Sequence, residues 1–185
     1  MRDINKTLED LEDSVLKAEA SYQIWWGLTH HGMSDYLGNM NNLKYVDFFH
    51  ASIPIFLQSI FLNLSRVFDR AGDLSGVKAL KADLVSLGHT KAAAEIEAQL
   101  LPHSQSIKSV KGIRDQSIGH KKHHKTTDQI YQENPLTPDQ IRDLIEAVKR
   151  SLDIATKAIE RRSNQLLSDR YVTATIELLA SLGKK

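Results

Sequence analysis

The chain has 185 residues, 41% of them hydrophobic, and a formal net charge of +1. This length supports one domain with a substantial core, and the lack of cysteine excludes disulfides and thiolate zinc sites and fits a reducing compartment. Residues 1–15 are too acidic and polar for a secretory signal, and the charge-free run at 51–65 is shorter than the roughly 20 apolar residues of a membrane span. We therefore expect a cytoplasmic protein without a membrane partner, folded as a single domain over residues 1–185.

The first part of the chain predicts two long helices separated by a loop. Apolar residues recur at helical spacing from residue 3 to 27, in a stripe that ends at Trp25, and again from Tyr45 to Asp69. Residues 27–43 have no such period, so His30 and His31 are interpreted as loop histidines rather than as a ligand pair. Pro54 removes a backbone donor from the second helix and is expected to kink it. The buried side chains predicted for that helix are Phe48, Phe49, Phe56, Ile60, Leu64 and Val67.

Three shorter helices are predicted next. The first covers residues 75–87 and buries Val77, Leu80, Leu84 and Leu87, and the second is alanine-rich and covers Lys91 to Leu101. The third carries Ile107, Val110 and Ile113 on its inner face and has a natural end at Gly119. Arg114 lies beside this apolar stripe.

The last part of the chain predicts an exposed loop followed by a long helix. Residues 121–138 contain two prolines and few large apolar residues, and are predicted to be a loop. Thr137, Pro138 and Gln140 then give a clear helix start, and one apolar face extends from Ile141 to Leu166. Residues 172–182 either continue this helix or pack back after a break near residues 168–169. The predicted fold is all-α: an up-and-down bundle of three to four long helices with short inserted helices.

Basic and imidazole side chains concentrate between Lys108 and Lys125. This segment has six lysines and arginines and one acidic residue, Asp115, so it carries about +5 while the whole chain carries +1. Arginine is a permanently charged fork suited to phosphate, and histidine exchanges a proton near neutral pH. Together they supply the acid, base and cation that cleave a phosphodiester without a metal or any other cofactor.

Arg114 and His120 converge only if the helix between them ends. On an unbroken α-helix, two positions six residues apart point about 120° away from each other. A turn after Gly119 would bring the His120 imidazole back beside Arg114 and leave Asp115 to orient either group. An arginine and a histidine at this spacing are expected by chance about once in such a chain, so the weight comes from the basic helix end around them.

The sequence lacks the signatures of several common phosphate and metal sites. The chain has no glycine-rich phosphate loop, no HExxH and no ExxH pair of a di-iron bundle. His120, His123 and His124 could together hold a metal, but no carboxylate in the cluster completes the site, and we predict none. For Lys121, Lys122 and Lys125, phosphate contact and a solvated loop are equally supported. Trp25 and Trp26 could stack on bases, although core or dimer packing explains Trp25 better.

The segment IRDQSIGH, in a helical chain of this size, resembles the motif of the HEPN superfamily (higher eukaryotes and prokaryotes nucleotide-binding domains): an arginine, four to six residues, then a histidine. The earlier LNLSRVFDR at 62–70 looks most like the abortive-infection U-type branch. The resemblance covers roughly residues 5–165. Arg114, Asp115 and His120 match the motif, and Arg66 and Asp69 match the second segment, where an ion pair would be an alternative explanation. His123 and His124 are not called for by the motif.

The resemblance implies a metal-independent endoribonuclease that acts in phage defence or as a toxin held by an antitoxin or partner protein. It also implies a homodimer, in which two motifs face each other across the interface and form one composite site. In this hypothesis His120 is the general acid/base, Arg114 stabilises the phosphorane and Asp115 orients the pair. The expected RNA-binding side chains are Lys111, Lys121, Lys122, His123, His124 and Lys125. The alternatives are a non-catalytic HEPN-like module that binds RNA, a nucleotide or an acidic partner, and a metal-binding bundle.

Overall fold

The computed structural model describes residues 3–30, 33–69, 75–119, 125–162 and 169–183, and these ranges are helical and contain no strand. The prediction of an all-α bundle is confirmed. The α-helices are α1 (Ile4–Thr29), α2 (Met33–Met40), α3 (Val46–Val67), α4 (Val77–Ser86), α5 (Thr90–Leu100), α6 (Ser104–Ile113), α7 (Thr127–Glu133), α8 (Pro138–Ala158) and α9 (Arg170–Leu182). A 3-10 turn at Leu101–His103 precedes α6, and a π-helical segment, Arg114–Gly119, follows it.

The three longest helices, α1, α3 and α8, form the main core together with the short helices α4 to α7. α1 packs against both α3 and α8. Its predicted stripe is confirmed, since Leu8, Leu11, Val15, Ala18 and Tyr22 are buried and Trp25 packs against the core from a partly buried position. The neighbouring Trp26 ring is stacked on His30, with ring centroids 4.1 Å apart.

α3 is buried mainly along its second half, and in its first half only Phe49 is buried, as predicted. Ile60, Phe61, Leu64 and Val67 are in the core, but Phe48 is 62% exposed, so its predicted burial was wrong. The helix continues through Pro54. Among the described residues, α3 is the one helix with the length and composition to cross a membrane, and 33% of the relevant stretch is buried. The core helix of a soluble protein meets the same criterion.

A second apolar cluster explains why the predicted loop at 27–43 was partly wrong. α2 lies within that range and packs against α9. Met40, Phe49 and Leu179 meet there with Leu28, and the Asn39 side chain donates to the Leu179 carbonyl at 3.1 Å. α9 is therefore a separate helix that packs back on the bundle, which settles the choice left open for residues 172–182.

The helices inserted between α3 and α8 follow the predicted order. Val77, Leu80 and Leu84 are buried on α4 as expected, whereas Leu87 is 41% exposed because α4 ends at Ser86. Gly76 permits the close approach of α4 to the end of α3: a β-carbon there would lie 2.6 Å from the Asp69 carbonyl oxygen.

The predicted loop at 121–138 contains α7, so that prediction was also wrong for residues 127–133. α7 begins with a capping box in which the Thr126 hydroxyl accepts from the Gln129 amide and the Gln129 side chain accepts from the Thr126 amide. Thr137 and Gln140 form the same arrangement before α8, as predicted. α8 ends at Ala158, and Leu166, expected on its face, lies outside the described residues.

Two ion pairs join α1 to α8 and to the residues that follow it. Lys149 donates to Glu19 at 2.8 Å, and both side chains are largely buried. Burial raises the pKa of Glu19 above its ordinary value, and the hydrogen bond from Lys149 opposes that shift. Arg161 donates through both terminal nitrogens to Glu12 at 3.2 Å. These pairs fix the two long helices in register.

Candidate functional site

Arg114 begins the π-helical segment that follows directly on α6. Ile113, the preceding residue, is fully buried, and the segment packs against α3 and α7. π-Helical turns widen the helix locally and are frequent at functional sites. The segment has its last residue at Gly119, where the sequence predicted that the helix would end.

The guanidinium of Arg114 is held by its neighbour. Nη1 donates to the Asp115 carboxylate at 2.8 Å, with 40% of the arginine side chain and 58% of the aspartate side chain exposed. Arginine has five N–H donors, so this contact leaves most of them for a second anion. The predicted partnership of Arg114 with Asp115 is thus present, and a buried structural arginine is not what the structure shows.

Lys125, the last residue of the basic segment, contacts the π-helical turn. Its amine donates to Gln116 at 3.2 Å and forms an ion pair with Glu133 of α7. The charge of Lys125 is therefore already engaged, and its two contacts join the π-helical turn to α7. Gln116 and Glu133 were not predicted, and only their acceptor groups near the basic segment would have suggested them.

The predicted His120, Lys121, Lys122, His123 and His124 lie outside the described residues. So does His31. Within the described ranges, no group of three or more histidine, aspartate or glutamate side chains could hold a metal ion. The histidine trio of the metal-binding alternative is outside those ranges.

The second predicted segment lies at the end of α3, the helix that packs against the π-helical turn. Arg66 is exposed and donates to Asn63 at 3.4 Å. Asn63 is itself bonded to the Ser59 carbonyl at 2.8 Å. Arg66 and Asp69, both described, are not paired with each other. Each makes another contact, so a structural role for these residues stands beside the functional one.

Close packing of α6 against α7 sets the direction from which Arg114 emerges. A β-carbon at Gly112 would overlap the Asn134 side chain, and Ser109 donates to the Pro135 carbonyl at 3.1 Å. Tyr131 of α7 lies against Phe61, with ring centroids 6.0 Å apart, and burial raises the pKa of its hydroxyl. The base of the site is therefore rigid and largely apolar.

Lys111, one helical turn before Arg114, is half-buried and lines a cavity of about 280 Å³ between α4, α5 and α6. The sequence singled out Lys111 but not Lys78, Lys81 or Lys108, which share the cavity. Lys78 and Lys81 are spaced three apart on α4, which is the signal that would have placed them on one face.

The HEPN_AbiU2 family model, described as AbiU2, matches residues 3–174. No curated protein and no solved structure gives a significant match. The family assignment indicates a module of the nucleotide-binding or ribonuclease type, and the match includes both segments that carry Arg66 and Arg114. The chain belongs to the AbiU2 family of the HEPN superfamily.

Proposed function

We propose that this protein is a metal-independent endoribonuclease with Arg114, Asp115 and His120 as its catalytic group. The observation that carries the proposal is the half-exposed guanidinium of Arg114, oriented by Asp115 at 2.8 Å on a rigid π-helical turn. Its other N–H groups point to no partner within the described part of the chain and can take a phosphate.

The reaction is a transesterification. His120 or its symmetry mate removes the proton of the 2'-hydroxyl, whose oxygen attacks the adjacent phosphorus, and a second imidazolium protonates the departing 5'-oxygen. Arg114 stabilises the charge on the phosphorane, as a fixed cation does for a developing oxyanion. The products are a 2',3'-cyclic phosphate and a 5'-hydroxyl, and no water or metal is consumed.

One chain supplies one arginine and one candidate histidine of the motif, whereas the reaction uses both an acid and a base. We propose that a second copy completes the site. An exposed apolar surface supports this: Phe48 and Ile55 on α3 are 62% and 61% exposed, and Arg66 follows at helical spacing farther along the same helix. Burial of this surface against a second copy would give the dimer that the proposed site requires.

The test is cleavage of a single-stranded RNA by the full chain in EDTA, with the product ends identified by mass spectrometry. We expect cyclic phosphate ends. Arg114→Ala and His120→Ala should each lower the cleavage rate at least about 100-fold, the order expected for removing an oxyanion cation or a general acid/base. Lys91→Ala, on an exposed lysine of α5, is the matched control and should be fully active.

A non-catalytic module is the competing function. RNA binding that is retained with no cleavage, in the wild type and in both variants, would establish that function and refute the nuclease. Sedimentation velocity of wild type and Phe48→Glu tests the dimer separately, because a charge at that exposed position disrupts an interface without removing core contacts.

A further inference from the structure

The cavity between α4, α5 and α6 combines a cationic rim with an apolar wall. Four lysines line it, and its acidic side chain is Glu97, so the surrounding charge is strongly positive. The apolar side is formed by Phe68, Val77, Leu100, Leu101 and Ile107. The apolar wall belongs to the bundle core, because Phe68, Val77 and Leu100 are buried in it, and only Leu101 is strongly exposed. Core packing does not account for the exposed lysines at the rim.

Two of the four lysines are available to a ligand. Lys81 forms an ion pair with Glu97, and burial lowers the pKa of its amine. Lys78 and Lys108 are exposed and form no ion pair within the described ranges. The cavity thus presents uncompensated positive charge at its mouth and apolar surface behind it.

The cavity lies close to the π-helical segment that begins at Arg114. Lys108 and Lys111 lie on α6, about 9 Å and about 4.5 Å before Arg114 along the helix axis. Phe68, at the end of α3, lines the same cavity. Around the helix, Lys111 is about 60° and Lys108 about 120° from Arg114. A strand whose phosphate contacts Arg114 would therefore reach the cavity by passing around α6 at Lys111.

We propose that this cavity is a subsite for one nucleotide of the RNA strand, next to the nucleotide that is cleaved. The phosphate contacts Lys78 and Lys108, and the base lies against Leu101, which is 67% exposed, above the buried Phe68 at the floor of the cavity. Positive grooves that follow the backbone, combined with flat apolar surfaces for bases, are how proteins hold single-stranded nucleic acid. The volume of about 280 Å³ admits one base and excludes a duplex. The assignment rests on the proposed function for its substrate, although the binding test does not require cleavage.

The test compares two variants that each add one negative charge to the first turn of α6. Ser104 lines the cavity and the adjacent Gln105 does not, and both are exposed. A carboxylate is favourable in the first turn of a helix, so Ser104→Glu and Gln105→Glu should fold equally well, which thermal unfolding followed by circular dichroism checks.

The probe is a fluorescent 12-residue oligouridine with 2'-O-methyl groups, which the proposed reaction cannot cleave. We expect Ser104→Glu to weaken binding about tenfold, the cost of about one charged contact, and Gln105→Glu to change it less than twofold. In a salt titration, Lys78→Gln and Lys108→Gln should each lower the slope of log Kd against log salt by about 0.7, whereas Lys91→Gln should leave it unchanged.

Equal affinity of the two glutamate variants, or no binding by the wild type, would overturn the subsite. Uridine monophosphate, titrated separately, distinguishes a site for free nucleotides: saturation of the cavity by this mononucleotide as tightly as by the oligouridine would also refute a strand subsite. Absence of cleavage in EDTA with a selective effect of Ser104→Glu on oligouridine binding would remove the nuclease and keep the subsite.

Discussion

The buried pair between Glu19 and Lys149 gives a sharp test of how the bundle is held together. The side chains are 6% and 15% exposed, and Glu19 Oε2 is buried without a hydrogen-bond partner. Lys149→Met keeps the stem of the lysine but leaves the carboxylate without a cation. Glu146 and Asp169 add negative charge nearby, so the pKa of Glu19 will rise further.

The magnitude follows from the alternatives open to the carboxylate. Removing one partner of a buried ion pair lowers the free energy of unfolding by about 3–5 kcal/mol. Glu19 can instead take up a proton, and moving from pH 7 to its ordinary pKa of 4.5 costs about 3.4 kcal/mol. Because protonation is available, the loss of stability cannot exceed this cost. We therefore expect Lys149→Met to lose about 3 kcal/mol of unfolding free energy at pH 7.

The sign of the pH dependence is fixed by the same reasoning. A carboxyl group whose pKa is raised in the folded state stabilises the fold fully below its unfolded pKa, and this contribution is lost as pH rises through the folded pKa. The deficit of Lys149→Met relative to wild type should be small near pH 4.5 and grow by up to about 1.4 kcal/mol per pH unit above it.

Urea unfolding at pH 5, 6 and 7, followed by circular dichroism, measures this deficit. Glu19→Gln combined with Lys149→Met should recover most of the loss, because no buried charge remains. Lys157→Met on the same helix is the matched control, since that lysine is 74% exposed and pairs with Asp153 in solvent, where an ion pair is worth about 0–1 kcal/mol. A deficit independent of pH, or a double variant as unstable as the single one, would contradict the reasoning.

Three further predictions concern stability and are checked by urea unfolding at pH 7. Gly76→Ala places a methyl group against the Asp69 carbonyl and should lower the free energy of unfolding by about 2 kcal/mol. Gly38→Ala, in open space, is its control and should stabilise α2 by up to about 1 kcal/mol. Equal effects of the two substitutions would contradict the close approach at Gly76. Thr137→Ala removes the cap of α8 and should cost about 1 kcal/mol, and a value near zero would mean that the cap is not formed in solution. Ile113→Ala opens a cavity beneath Arg114 and should cost about 3 kcal/mol, with an unchanged midpoint arguing against its full burial.

The short helices α2 and α7 were not predicted from the sequence. The start of α7 carried a readable signal, since Thr126 and Gln129 form the same capping box as Thr137 and Gln140, but the prolines around it favoured a loop. α2 carried less: its glycine and asparagine favour turns, and the helix is held by contacts with α9, about 140 residues away in sequence.

For the candidate site, the residues could be named from sequence but their surroundings could not. Arg114 and Asp115 were identified by charge and spacing, and their contact follows from being neighbours. The engagement of Lys125 with Gln116 and Glu133 depends on where α7 packs, which no local pattern specifies. His120 remains a prediction, as do the dimer and the RNA substrate.

The sequence by itself determined the helical class, the long amphipathic helices and the family to which the chain belongs, because helical periodicity, helix caps and a short motif are written in adjacent residues. The tertiary structure decided that half of α3 stays exposed, that four lysines from two helices share one cavity with an apolar wall, and that the π-helical turn rests on α3 and α7. Those features arise where distant segments meet, so they depend on how complete helices fill space together and not on any one segment.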